Sequence, residues 1–350
     1  MVDSSDNLAS PKPYKLIPFP AQSPNLDHPA GHDKFRNDCL HGTLFLNLVV
    51  QTALHVSTGV VVMGEDIGNN SIPLIKTMTQ GIKNELIMQG SSLKGCIRSV
   101  YEAITNSTLG VISKDYERRI PQEYLPSGQH DSLCSKNNLC PASRIFGALN
   151  WQGLIEFSDA RCDQMYSIGF IPSLYSPQPK IDNRTFNPEY FNDKGKVKGR
   201  KFYYQTNRAV DTGKRGTPVQ QAGTEYIFKT RLQFMNLKPE ELGTLLIVLG
   251  QDSQHRIALK VGAGKPVGMG TMIVEITKVQ VLQGKDELRD RYSSYTTSET
   301  GCLTGNKVQE FIQQKIQEAH NSSLMEKTQL AEIVKVLGYP TDRQPPEGVY

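Results

Sequence analysis

Residues Gln89-Gly-Ser-Ser-Leu-Lys-Gly-Cys-Ile-Arg98 constrain the fold more tightly than any other stretch of the chain. A glycine- and serine-containing turn runs straight into Leu93, Ile97, Val100, Tyr101 and Ile104, the apolar spacing of one helix face. Ser91 and Ser92 are N-cap residue types, and the first-turn amides of a helix carry the positive end of its dipole. Lys94 and Arg98, one turn apart, share a face and lean back toward the same end. Amides, hydroxyls and cations converging on one spot suit a phosphate, and a row of such spots suits a nucleic-acid backbone. The competing reading is a capped surface helix with solvated cations.

The elements around this helix set the fold class. Gly42 to Val56 reads as a strand with Leu44, Leu46, Leu48 and Val50 on one face and the mixed set Phe45, Asn47, Val49 and Gln51 on the other. Pro73 to Ile75 and Glu85 to Met88 suggest a short hairpin that delivers the chain to the Gly90 turn. Gly153 to Asp159 is a second core strand, and Thr224 to Met235 a third with Tyr226, Phe228, Thr230, Leu232 and Phe234 alternating. Pro239-Glu-Glu-Leu opens an amphipathic helix to Leu249, with proline early and acids in the first turn. A glycine-rich loop, 262 to 270, then precedes the strand Thr271 to Val281. Strand, helix, strand, strand, helix, strand is the ferredoxin-like, RRM-type βαββαβ order, an α+β class, split here by a large central insertion.

A proline-rich arm, 1–41, precedes this core, docked by Tyr14, Leu16, Ile17 and Phe19. The core domain spans 42–282. An extension, 283–350, adds helices at Lys307 to Glu318 and Leu324 to Leu337. The net charge of +4 is unevenly placed: between Lys180 and Arg215 ten Lys or Arg stand against four acids, so the rest of the chain is slightly acidic. A basic, aromatic segment on a near-neutral body suggests a polyanionic partner. It lies within 171–222, which has no clean period and reads as a protruding loop or subdomain; its alternative is a solvated charged loop. The longest apolar runs fall far short of a membrane span. The polar, proline-rich N-terminus lacks the apolar core of a secretory signal, and six scattered cysteines do not form a secreted disulfide pattern, so a reducing cytoplasm is the expected location.

Taken together, the motifs resemble those of the RAMP (repeat-associated mysterious protein) superfamily, the backbone subunits of type III CRISPR effector complexes of the Csm or Cmr kind, or related to subtypes III-D and III-E. Gln89-Gly-Ser-Ser-Leu-Lys-Gly with Arg98 is similar to the "IPGSSLKGxxR" signature, and Arg144-Ile-Phe-Gly147 with Gly153-Leu-Ile-Glu-Phe-Ser-Asp-Ala160 to "LFG…GxLxFxDA". The loop 262 to 270 resembles the C-terminal signature, and Pro13-Tyr-Lys-Leu-Ile-Pro-Phe-Pro20 the opening "PYNFVP" of one branch. The resemblance implies a palm with a thumb insertion at 171–222 and a role in holding guide RNA phosphates and the guide-target duplex, with aromatic side chains wedging between bases. It implies RNA contacts by Ser91, Ser92, Lys94, Arg98, Asn70, Lys198, Arg200, Lys201, Arg208, Lys265, Gly264 and Gly268. The implied partners are guide RNA, target RNA, other RAMP subunits and the large subunit of the complex, with no membrane.

Subunits of this family that cut target RNA share an "IDxPVIRD" segment whose Asp supports metal-dependent cleavage. Here the corresponding stretch is Asn69-Asn70-Ser-Ile-Pro-Leu-Ile-Lys76, so Ser71 stands in the place of the acid. Neither a hydroxyl nor an amide acts as a carboxylate base, and both bind Mg²⁺ weakly. A non-cleaving subunit is therefore expected, with Mg²⁺-dependent cleavage through nearby Asp66 or Glu65 as the alternative. His55, at a strand end, is read as packed or exposed rather than as a general base. Guide-RNA processing is a third reading, but no His, Tyr or Lys acid-base cluster supports it. Cys134 and Cys140, with His130 and Cys96, are a candidate zinc set, although the spacing is loose. Some relatives carry a zinc-binding insertion at this place, about 107–140; the alternative is four unrelated residues. Gly262-Ala-Gly-Lys265 is not a P-loop, since Leu259 replaces its leading Gly and Pro266 its Ser or Thr. A tight turn against RNA or a neighbouring subunit fits it better.

Overall fold

The computed structural model describes residues 12–174, 185–282, 293 and 302–346. Part of the basic insertion, including Lys180 and Arg184, and most of 283–301 lie outside them. The arm supplies strand β1, Tyr14–Pro18, and the core opens with β2, Leu40–Val50. A ribbon of β3, Ser57–Met63, and β4, Leu74–Gln80, is followed by β5, Leu86–Met88, and helix α1, Gly90–Ile104. Short α2, Pro141–Phe146, precedes β6, Ile155–Phe157, and β7, Ala160–Cys162. The insertion holds β8, Ser167–Ile171, β9, Gly199–Tyr203, and β10, Thr217–Gln221. Then come β11, Ile227–Leu237, α3, Pro239–Val248, β12, Leu259–Lys260, and β13, Thr271–Leu282. β14, Cys302–Thr304, α4, Asn306–Asn321, and α5, Lys327–Leu337, form the extension.

The core sheet runs β13, β2, β11, β6, each strand antiparallel to its neighbour. In the order of the chain these are strands four, one, three and two of the expected six-element unit, with α1 and α3 as its helices. The α+β, ferredoxin-like class read from the sequence is therefore the observed one. Period-two patterning decides which face is covered: Leu44, Leu46, Leu48 and Val50 are at most 1% exposed. Leu48 pairs across to Phe228 on one side and Val274 on the other, and Leu44 to Leu232 and Val279. Each such fully buried side chain stabilises the fold by about 1.5–3 kcal/mol. On the opposite face Lys229 and Arg231 are exposed, and Phe45 is half-buried. Through β7 the sheet continues into β5, β4, β10 and β8.

Helix α3 departs from the amphipathic expectation, because residues 241 to 248 are all buried. The reason is α4, which covers the face that would otherwise meet solvent. The two helices cross at Gly243, where a β-carbon would stand 1.9 Å from the carbonyl oxygen of Lys315. The arm also docks more firmly than an extended coil: β1 pairs with β9, Ile17 is 1% exposed, and Phe19 stacks on Tyr124 at 4.0 Å. Arm and extension meet where Lys15 pairs with Glu332 and the Gln329 amide donates to the Pro18 carbonyl. Within the segment expected to protrude as a thumb, β9 pairs with the arm and β10 with β4 and β8. Replacing Gly243 with Ala is expected to force α3 and α4 apart and lower stability by roughly 1–3 kcal/mol, read from the urea midpoint.

Candidate nucleic-acid interface

Helix α1 begins under tight constraint. A β-carbon at Gly90 would lie 2.2 Å from the Phe157 carbonyl oxygen, so only glycine lets the turn pass this close to the end of β6. The Gly90 amide donates to Asp159 Oδ1 at 2.8 Å, so an internal carboxylate already sits at the positive end of the helix. The N-cap position is Gln89 and not a serine, and the Gln89 side chain bonds Thr79 Oγ1 at 2.5 Å. Ser91 and Ser92 therefore fall inside the first turn with their hydroxyls unused for capping. Ser91 is exposed, and so is Gly95 one turn later, where an added β-carbon would meet nothing within 4 Å.

The two cations of this helix face inward, which corrects their expected convergence on the helix start. Lys94 is half-buried, and its ammonium donates to the Ile155 carbonyl at 3.0 Å; burial lowers its pKa. Arg98 donates from Nη1 to the Gly147 carbonyl at 2.9 Å and from Nε to Glu102 at 2.6 Å. Glu102 is 5% exposed, and burial raises its pKa, with the Arg98 guanidinium opposing that shift. The pair of cations thus pins both ends of the turn from Gly147 to Ile155 against α1. Glu102 is a local i, i+4 partner, but the carbonyl acceptors lie 61 residues after Lys94 and 49 after Arg98, so nothing in the local sequence marks them.

The glycine-rich loop also packs on its own chain, where the sequence suggested RNA or a neighbouring subunit. Gly264 and Gly268 have φ of +69° and +90°; a β-carbon at Gly268 would stand 2.4 Å from the Arg208 carbonyl oxygen, and at Gly264 2.5 Å from Met269 Sδ. This close approach brings the Arg208 backbone against the loop that carries Lys265, while the exposed Arg208 guanidinium donates from Nε to Gln344 Oε1 at 3.2 Å. The loop reaches α1 as well, since Cys96 Sγ donates to the Lys260 carbonyl at 3.4 Å and the Lys265 charge acts on the Cys96 thiol. Beneath it lies a group the sequence reading passed over. Lys260 is 5% exposed, bonds Gly268 O and Thr271 Oγ1, each at 3.1 Å, and has its pKa pushed down to about 7 by burial, with Lys265 adding to the effect. His55 is buried at the same loop, its Nδ1 2.7 Å from the Gln220 carbonyl, and burial lowers its pKa, so it is packed.

Other sequence candidates stand elsewhere. Arg200 is 6% exposed, donates to the Ser107 carbonyl, and lies over the rings of Phe19 and Tyr124, so it is part of the core and not a surface contact. Lys201 sits 3.9 Å from the Tyr14 ring centre, and Lys198 is exposed on the same edge. Glu65, Asp66 and Asn70 are exposed at the tip of the β3–β4 ribbon, where Asn69 Oδ1 accepts from the Ser71 amide and hydroxyl. The ribbon also exposes Val60, Val61, Met63 and Leu74, an apolar set without a sequence signal beyond β-branching. The suggested zinc set is not assembled. Cys134 and Cys140 are buried about Thr108 Oγ1, at 3.8 and 3.3 Å, but Cys96 lies at Lys260 and His130 is exposed beside Asp131. Among the described residues the group able to hold a metal is Asp252, His255 and His320.

The fold and its two glycine turns define a ferredoxin-like protein whose C-terminal loop lies against α1 at Cys96. The RAMP superfamily profile matches residues 47–273, and the chain belongs to that superfamily. Among solved structures it is similar to a chain of the cryo-EM structure of the Type III-B Cmr-beta bound to cognate target RNA, at 14% identity and a TM-score of 0.32. That similarity covers 69% of this chain and 61% of the other. No curated protein matches it. Among the described residues, no helix is long and apolar enough to cross a membrane.

Two stability measurements probe this site. Arg98→Ala strands the buried Glu102 carboxylate and is expected to destabilise the fold by about 3 kcal/mol, a loss seen in denaturant melts without RNA. For Lys260 the sign follows from its two states. The folded chain releases the proton near pH 7 while the unfolded chain holds it to about 10.5, so stability is lowest below pH 7 and rises through that window. The slope is at most on the order of 1.4 kcal/mol per pH unit, and urea midpoints for Lys260→Met should lack it.

Proposed function

We propose that this chain is a guide-RNA-binding backbone subunit of a type III CRISPR interference ribonucleoprotein, holding RNA phosphates on the outer face of α1. Gly95 carries the reading. It stands exposed in mid-helix with nothing within 4 Å of a β-carbon, although glycine costs about 0.5–1 kcal/mol relative to alanine there. No packing within the described chain accounts for it, and close approach by an external backbone does. Ser91 and Ser92 add hydroxyl donors one turn earlier, and Lys265 and Arg208 border the same face. Membership of the RAMP superfamily and the basic insertion support an RNA partner. The exposed apolar ribbon offers a surface to bases or to a neighbouring RAMP subunit, and target RNA and the large subunit complete the assembly.

Cleavage is not part of this proposal, because Ser71 stands where cutting subunits of the resembled family carry their acid. The test uses the full chain with labelled guide RNA. Gly95→Glu, which has room to fold, is expected to weaken binding at least about tenfold through phosphate repulsion. Lys265→Ala with Arg208→Ala should flatten the salt dependence by about 1.4 in log-log slope, two charges at about 0.7 each. Unchanged affinity in Gly95→Glu would remove α1 from the interface. In the assembled complex, Asp66→Ala should leave every Mg²⁺-dependent cut in target RNA intact; loss of one cut would make this chain a nuclease.

A further inference from the structure

The loop after α3 brings two side chains three residues apart, Asp252 and His255, to a third at the end of α4, His320. Asp252 is 4% exposed, and its Oδ2 receives His255 Nδ1 at 2.8 Å and His320 Nε2 at 2.7 Å. Ligand atoms of all three residues lie within 4.8 Å of one another. Asp252 Oδ1 is held separately, by the Gln254 amide at 2.9 Å, which fixes the carboxylate plane. The rings lie 5.4 Å apart and inclined at 37°, converging on one point instead of stacking. Both histidines keep partial access to solvent, and His320 borders a cavity of about 800 Å³ lined also by Gln313, Gln317 and Tyr339.

We propose that Asp252, His255 and His320 form a zinc-class metal site that fastens the C-terminal extension to the ferredoxin-like core. Two imidazoles and one carboxylate are the donor set of a borderline divalent ion; magnesium and calcium prefer oxygen alone. Bonds of about 2.0–2.1 Å set tetrahedral ligands about 3.3 Å apart, so His255 Nδ1 and His320 Nε2, at 2.8 and 2.7 Å from Asp252 Oδ2, each draw off that oxygen by about half an ångström as the three ligand atoms, now within 4.8 Å of one another, close around the ion. Three protein ligands leave the fourth position to water from the adjoining cavity. The Gln254 amide on Asp252 is the kind of outer contact that orients a ligating carboxylate. The residues bridge the loop that follows α3 and the last turn of α4, the helix that packs along α3. Zinc therefore strengthens a tertiary contact, and its effect on stability is independent of RNA.

The experiment takes the full chain, stripped with a chelator, and titrates it with zinc against a chromophoric competitor while following thermal melting. One equivalent should bind, and the melting temperature should rise with zinc. His320→Gln preserves a hydrogen bond to Asp252 but removes a good ligand. It should melt like the stripped native chain and lose zinc affinity by about a hundredfold or more, at least the roughly 10- to 100-fold typical of losing an outer contact. Cys134→Ser with Cys140→Ser should keep both the bound equivalent and the shift. The proposal fails if the native chain binds no zinc, if His320→Gln binds it as tightly, or if the thiol variant loses it. In the first two cases the three residues are a hydrogen-bonded triad only.

Discussion

One close crossing holds the arrangement together, that of the Gly90 turn over the turn between β6 and β7. Gly90 donates its amide to Asp159 and passes Phe157 with no room for a β-carbon. The same β6–β7 turn is bonded to the middle of the sheet, since the Ser158 amide donates to Arg231 and the Thr230 hydroxyl to Ser158. The start of α1 is therefore set by β11, the central strand, as well as by β5, the buried strand leading into it. With the start fixed, the apolar face of α1 meets the sheet, and Ser91 and Gly95 are turned outward as a geometric consequence.

The glycine-serine-lysine signature acquires a different division of labour from the one its composition suggests. Its charged members, Lys94 and Arg98, point inward and close the turn from Gly147 to Ile155. Two of its small neutral members, Ser91 and Gly95, point outward. A buried cation bonded to a carbonyl is well placed to hold a turn, because an unpaired carbonyl there would carry a desolvation penalty of roughly 1–3 kcal/mol. A small outward residue is well placed to admit a backbone. The motif is thus a folding device on one side and an open surface on the other.

The fold was legible because its signal is local. Alternation over Leu44, Leu46, Leu48 and Val50 and helical spacing from Leu93 to Ile104 each report a buried face within a dozen residues. The amphipathic reading of α3 failed because its second cover, α4, comes seventy residues later, where Gly243 meets Lys315. The site was legible only in part for the same reason. Residue type marked Ser91, Ser92 and Lys265, but not the carbonyls that take up Lys94, Arg98 and Arg200. Cysteine spacing suggested a metal set that the fold disperses, while Asp252 and His320, 68 positions apart, gave no spacing to notice.

The charge count of the insertion is likewise redistributed by folding. Of its cations, Arg200 is buried beneath Phe19 and Tyr124, and Lys201 lies against Tyr14 and Tyr203, so both fasten the arm through cation–π contact. Arg200 in particular has a pKa lowered by burial, the mark of a charge withdrawn from solvent. Exposed cations such as Lys198 and Arg208 are left at the margins. In the RNA-binding role proposed above, a polyanion on the outer face of α1 would meet neutral donors, with the exposed cations set apart from them. That distribution favours recognition of backbone shape over bulk attraction, because rim charges act mainly on the rate of encounter while close donors fix the register.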